Sequence, residues 1–154
     1  MSVLADFIEA ERDTIVTLFT RRVRPLAPPS LTKIELADHL PDFLVGLAAA
    51  LRHSTRPTDH VFQSSGIAES HGHQRLRLGF DLSAVVREYG LLRDCLFEQL
   101  EEAGITPTLR ELRVLSDCLS GATSDSTEQY VQERQEGSDA ERIRLLSLFQ
   151  QAPG

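Results

Sequence analysis

Asp81-Leu-Ser-Ala-Val-Val-Arg-Glu-Tyr-Gly-Leu-Leu-Arg-Asp-Cys-Leu-Phe-Glu-Gln-Leu-Glu-Glu-Ala-Gly104 is the stretch on which the fold turns. Its apolar residues Leu82, Val85, Val86, Tyr89, Leu92, Leu96, Phe97 and Leu100 recur at intervals of mostly three and four. That is the repeat of one face of an α-helix, not the alternation of a strand. Asp81 can accept the free amides of a first helical turn, and Gly104 can close the last one.

The same repeat extends in both directions. Toward the N-terminus, Val3, Leu4, Phe7, Ile8, Ile15, Phe19 and Val23 predict a helix from about Ser2 to Arg22. Ser2 would cap it, the basic group Arg21, Arg22 and Arg24 suits its C-terminus, and Pro25, Pro28 and Pro29 end it. Thr32-Lys-Ile-Glu35 is a capping box that opens a short helix toward Leu40. Pro41 fits the first turn of another, whose buried face is Phe43, Leu44, Leu47 and Leu51. Ser54 to Ser65 is polar, carries Pro57 and reads as a loop. A fourth helix covers about Ser65 to Leu78 and stops at Gly79.

Downstream, Pro107 is expected in the first turn of a long helix through Leu109, Leu112, Leu115, Cys118, Leu119 and Ala122 to Tyr130 or beyond. The small polar residues from Gly121 to Thr127 should weaken it, and Gly137 should break it. Ser138-Asp-Ala-Glu141 is a further capping box, starting an apolar helix through Ile143, Leu145, Leu146, Leu148 and Phe149. A chain that stops just after such a start reads as a piece of a longer protein. No segment alternates with period two, so the expected class is all-α, with about six helices and two long C-terminal ones.

Length and charge narrow the function. The 154 residues fit one domain with a core of its own. Sixteen basic against twenty-three acidic residues give a net charge of −7, the wrong sign for a nucleic-acid module. The longest apolar run, Phe43 to Leu51, has nine residues, far short of a membrane span. No basic flank precedes an apolar run at Met1, so no signal peptide is expected. Cys95 and Cys118 form no CxxC and suit a reducing compartment, which points to the cytoplasm.

No nucleotide-binding, nucleophile-elbow or zinc-protease motif occurs, and no kinase-transmitter or cyclase signature, so catalysis within these residues is not expected. His71-Gly-His73 invites a metal reading, but residues two apart on a helix point about 200° away from each other. Both are therefore read as surface or network histidines, and no metal site is expected. Cys95 and Cys118 fall on apolar faces and read as core thiols. Arg75, Glu88 and Arg93 are more charged than helix packing requires; Glu88 and Arg93 flank Tyr89 in an arrangement able to form a partly buried ion pair.

These residues also carry a family likeness. Arg75…Gly79-Phe…Val85-Val86-Arg87-Glu88-Tyr89…Leu92-Arg93 resembles the N-terminal domain of RsbR-type stressosome proteins, which also stands at the front of many bacterial sensor histidine kinases. Leu36-Ala-Asp-His-Leu-Pro41-Asp-Phe-Leu adds to the likeness. The resemblance implies a globin-like helical fold, no haem, and dimerisation. The tail from Arg144 to Gly154 is similar to the opening of a PAS domain. Together these imply a sensory domain over 1–136, then over 137–154 a linker and the beginning of a PAS domain, in a bacterial sensor histidine kinase. The alternative function is a stressosome-type interaction scaffold.

The resemblance also locates the haem question. Haem-containing globin sensors place the iron-ligating histidine four residues before a helix-ending glycine; here the glycine is Gly79 and Arg75 stands in that position. A guanidinium offers no lone pair to iron. His71 lies one turn upstream on the same side, about 6 Å along the axis, and could substitute only if the porphyrin moved with it. A haem-free domain is expected, with Arg75 joined to a carboxylate such as Glu88 or to the backbone; a haem-based gas sensor is the lesser alternative. For the homodimer, Val85, Leu91, Leu92, Leu96, Val114, Leu115 and Leu119 supply more apolar faces than one core was expected to cover.

Overall fold

The computed structural model describes residues 1–53 and 66–151. In chain order it forms α1 (Val3–Ala10), α2 (Arg12–Val23), a 3-10 turn (Arg24–Leu26), α3 (Lys33–Ala37), α4 (Leu40–His53), α5 (Ile67–Leu78), α6 (Leu82–Ala103) and α7 (Leu109–Gln151). Among the described residues there is no strand, so the chain is all-α, and its last two helices are the long ones. The loop expected over Ser54–Ser65 lies outside the described residues.

The expected first helix is two. Glu11, at φ −106° and ψ 16°, turns the chain between α1 and α2. From Glu9 to Thr14 no large apolar side chain is available to hold a straight helix on the core. With the turn, Leu4, Phe7 and Ile8 of α1 and Ile15, Phe19 and Val23 of α2 are all buried, α1 mainly against α4 and α2 mainly against α6. α3 carries the expected capping box, in which Thr32 and Glu35 bond each other's backbone amides. Pro41 does sit in the first turn of α4.

Pro107 lies outside α7. The cap is Thr108, whose hydroxyl accepts the Glu111 amide at 3.1 Å while the Glu111 carboxylate accepts the Thr108 amide at 2.8 Å. The same carboxylate reaches across to α1, where it accepts the Ser2 hydroxyl at 2.6 Å and the Leu4 amide at 2.8 Å. Burial raises the Glu111 pKa, but these donors outweigh it and hold the carboxyl below its usual range. One side chain thus closes two helix starts. Glu111→Ala strands several donors and should lose about 1–3 kcal/mol in urea unfolding. Since the Glu111 pKa is depressed on folding, this contribution is present above the ordinary carboxylate range and fades as pH falls through the folded value.

α7 neither weakens at Gly121–Thr127 nor breaks at Gly137; it is one 43-residue helix. The Thr123 and Thr127 hydroxyls fold back onto the Leu119 and Thr123 carbonyls at 2.7 and 2.8 Å, so they do not compete with the helix. A helical glycine costs about 0.5–1 kcal/mol, too little to end a helix of this length. The side-chain bond from Gln135 to Asp139 at 3.1 Å bridges Gly137. The capping box at Ser138 is therefore ordinary helix interior.

Glu111, Val114, Leu115, Cys118, Leu119, Ala122, Ser126 and Tyr130 form the buried stripe of α7. Six of the seven residues expected to need a second protomer (all but the half-buried Leu91) are buried within one chain. Val114 and Leu115 both find cover because α7 packs against α4, α5 and α6 together. Both cysteines are buried core thiols, and burial pushes the Cys118 thiol up to about 11.

Candidate functional site

The site is a chain of charges inside the helical core. Its centre is Arg75, in the last turn of α5 and fully buried. All five guanidinium N–H groups have partners. Nε and Nη2 donate to the Glu88 carboxylate at 2.9 and 2.7 Å, a two-pronged pairing with α6. Nη2 also donates to the Leu36 carbonyl at 2.7 Å, and Nη1 to the Glu35 carbonyl at 2.8 Å and to Gln74 at 2.9 Å. The two carbonyls belong to the final turn of α3, so Arg75 closes that helix end as well. The guanidinium lies 4.4 Å over the Phe80 ring.

His71, one turn earlier on α5, continues the chain. Its Nε2 is 2.8 Å from Glu88, and its Nδ1 is 2.5 Å from Asp38, just beyond α3. Burial lowers the His71 pKa, but the Glu88 charge and the bonds to Asp38 and Glu88 outweigh it and leave it raised. Burial likewise raises Glu88, while His71 and Arg75 more than reverse this and keep it an anion. Asp38 has φ 48° and ψ −124°, a backbone state that side-chain-bearing residues rarely adopt. Beside His71 and Glu88 lies a cavity of about 30 Å³ lined also by Phe19, Phe43 and Tyr89, space for about one water.

A second strand of bonds joins this cluster to α7. Tyr89 donates its hydroxyl to Ser126 at 2.7 Å, and Ser126 donates onward to the Ala68 carbonyl of α5 at 2.6 Å. Burial pushes the Tyr89 hydroxyl pKa up, so it stays a neutral donor. α5 crosses α7 at Gly72, where a Cβ would stand 2.1 Å from the Ser126 carbonyl oxygen. Gly79, at φ 88°, ends α5, and Tyr130 of α7 donates to the Phe80 carbonyl just beyond it at 2.7 Å.

Residues 10–145 match the RsbT co-antagonist protein rsbRD N-terminal domain family. The chain belongs to that family. As a member, it is a stressosome-type regulatory domain. Neither a curated protein nor a solved structure matches the chain. No helix among the described residues is long and apolar enough to cross a membrane.

Within this rsbRD N-terminal domain, Arg75, Gly79, Glu88 and Tyr89 lie together around the charge cluster. Arg93 does not: its side chain is half exposed and reaches only Asp94, at 3.3 Å. Five positions beyond Glu88, it is turned about 140° around α6, away from Arg75. His73 is exposed and pairs with Glu133 of α7 at 2.7 Å, on a different face from His71. Among the basic residues ending α2, Arg22 pairs with Glu98 and Arg24 bonds the Leu31 carbonyl.

Asp38, Gly72 and Ser126 were not singled out from the sequence. The spacing of His71 and Arg75, one turn apart, did carry a signal for a shared buried face. The Asp38 partnership depends on its unusual backbone and the Gly72 contact on how two distant helices cross, and neither leaves a periodicity. In chemical terms, Arg75 has no lone pair to offer iron, and both His71 nitrogens face carboxylate oxygens.

Proposed function

We propose that this domain is the non-catalytic input end of a cytoplasmic bacterial signal-transduction protein and passes its state onward through α7. The observation that carries this reading is the double role of that helix. Up to Tyr130 it is packed on the charge cluster and on α5; from Val131 to Gln150 it is almost wholly exposed. The exposed part displays Ile143, Leu145, Leu146, Leu148 and Phe149, whose apolar side chains suit a following domain or a partner helix. A change in packing at the core is transmitted along a continuous helix without unfolding it, provided that the core has two arrangements for a signal to choose between.

In this proposal residues 1–136 are the sensory unit and 137–154 connect it to a PAS domain of a sensor histidine kinase, with α7 as an unbroken connector. The family's co-antagonist title supports a second reading, a stressosome-type domain that binds protein partners. Swapping the exposed part of α7 separates the two. A relay loses output control when residues 131–150 are replaced by unrelated helix, whereas a scaffold that docks through its body keeps its partners.

The domain is further proposed to be haem-free and to act as a homodimer. Val86 and Phe97 stay exposed in an open groove between α6 and α7, a surface suited to a second copy. Light scattering should give twice the 17.2 kDa of one chain; 17 kDa at micromolar concentration would refute the dimer. Protein expressed with haem supplementation should show no Soret band, and a stoichiometric band abolished by His71→Ala would restore the gas-sensor alternative.

A further inference from the structure

We propose that His71 is a proton-binding site: a buried imidazolium whose proton ties Asp38 to Glu88 and locks the α3–α4 corner onto α5 and α6. A neutral imidazole has one N–H and one lone pair. Here the two nitrogens face carboxylate oxygens at 2.5 and 2.8 Å. In either neutral tautomer one lone pair would point at an anionic acceptor within hydrogen-bond distance. With both carboxyls ionised, only the doubly protonated ring satisfies both contacts.

The charge count agrees. Asp38 and Glu88 bring two negative charges and Arg75 one positive, with side chains no more than 4% exposed. Protonated His71 makes the buried set neutral; losing that proton leaves it one charge negative in a poorly solvated site. Among the described residues no further buried cation faces these contacts. From the α3–α4 corner, His39 stands 3.4 Å from Asp38 with its side chain 40% exposed. α6 adds the Tyr89 ring, edge-on at 5.7 Å, and α7 reaches the cluster through the Ser126 hydroxyl on Tyr89. α2 and α4 contribute apolar Phe19 and Phe43.

The proton holds a strained element. Asp38 sits at positive φ, a conformation that persists only while its surroundings impose it; His71 holds its side chain there and the Ile34 carbonyl holds its amide at 3.0 Å. The raised His71 pKa fixes the direction of the response. Its contribution to stability is complete below the ordinary histidine value of about 6.5 and is lost as pH rises through the folded value. The corner is thus locked below the folded value of His71 and released as pH rises through it.

Proton-detected ¹H–¹⁵N spectra of the full chain, ¹⁵N-labelled at histidine, test this directly. His71 is assigned by replacing the other four histidines in turn. At pH 7 both of its ring nitrogens should give imidazolium shifts, with a titration midpoint above that of exposed His53. Amide signals of residues 36–40 should move at the same midpoint, and Asp38→Asn should lower the proton affinity of His71 about tenfold. A single-tautomer neutral ring at pH 7, or a midpoint at or below that of His53, overturns the proton site. A titrating His71 with unmoved 36–40 amides overturns the lock.

Discussion

An Arg75→Ala variant should lose about 3–5 kcal/mol of stability, the usual cost of removing one partner from a buried ion pair. Three groups lose a partner at once. Glu88, 2% exposed, keeps only His71 as counter-charge, and the Glu35 and Leu36 carbonyls lose the donors that closed α3. Arg75→Lys should recover only part of the loss, because an ammonium with three donors cannot reproduce a fork using five. A double-mutant cycle with Glu88→Gln should then show coupling well above 1 kcal/mol. Urea unfolding reads all three, and an Arg75→Ala variant within about 1 kcal/mol of the parent would remove the cluster from the centre of the fold.

Gly72→Ala is expected to be the second most damaging change, against its local tendency. Within a helix, alanine in place of glycine gains up to about 1 kcal/mol from propensity alone. Here the new Cβ would lie 2.1 Å from the Ser126 carbonyl oxygen and 2.9 Å from its carbon, backbone atoms of a second helix. Neither helix can yield locally, so α5 and α7 must separate, an overpacking cost of about 1–3 kcal/mol or more. The separation also pulls Ser126 from the Ala68 carbonyl and from Tyr89. The net expectation is a clear fall in melting temperature, and a rise would show that the crossing is looser than described.

The helices legible in the sequence were those whose apolar period and caps agree. α6 is the clearest case, running between Asp81 and Gly104 with Asp81 accepting the Ala84 amide at 2.8 Å. Gly137 misled because glycine marks a helix end only where nothing carries the helix through, and here the Gln135 side chain bridges it to Asp139. Arg75 and Glu88 stood out because each is more charged than helix packing requires, and Glu88 was one of the partners expected for Arg75. The ion pair read from the spacing, however, was Glu88 with Arg93. Arg93 was grouped with them by nearness in sequence, whereas α6 turns it to solvent. Asp38 and Ser126 stayed invisible because their roles come from tertiary contacts 33 and 37 residues distant in sequence.

In the proposed relay, the packing of α5 on α7 sets what the exposed end of α7 presents. Output of the full protein carrying this domain, measured for Gly72→Ala beside Glu111→Ala, tests that most directly. Both substitutions weaken the fold, but only the first displaces α7 at its crossing with α5, whereas the second loosens the starts of α1 and α7. The predicted result is an output shifted by Gly72→Ala and near that of the parent for Glu111→Ala. Unchanged output in Gly72→Ala, or equal shifts in both variants, would contradict it.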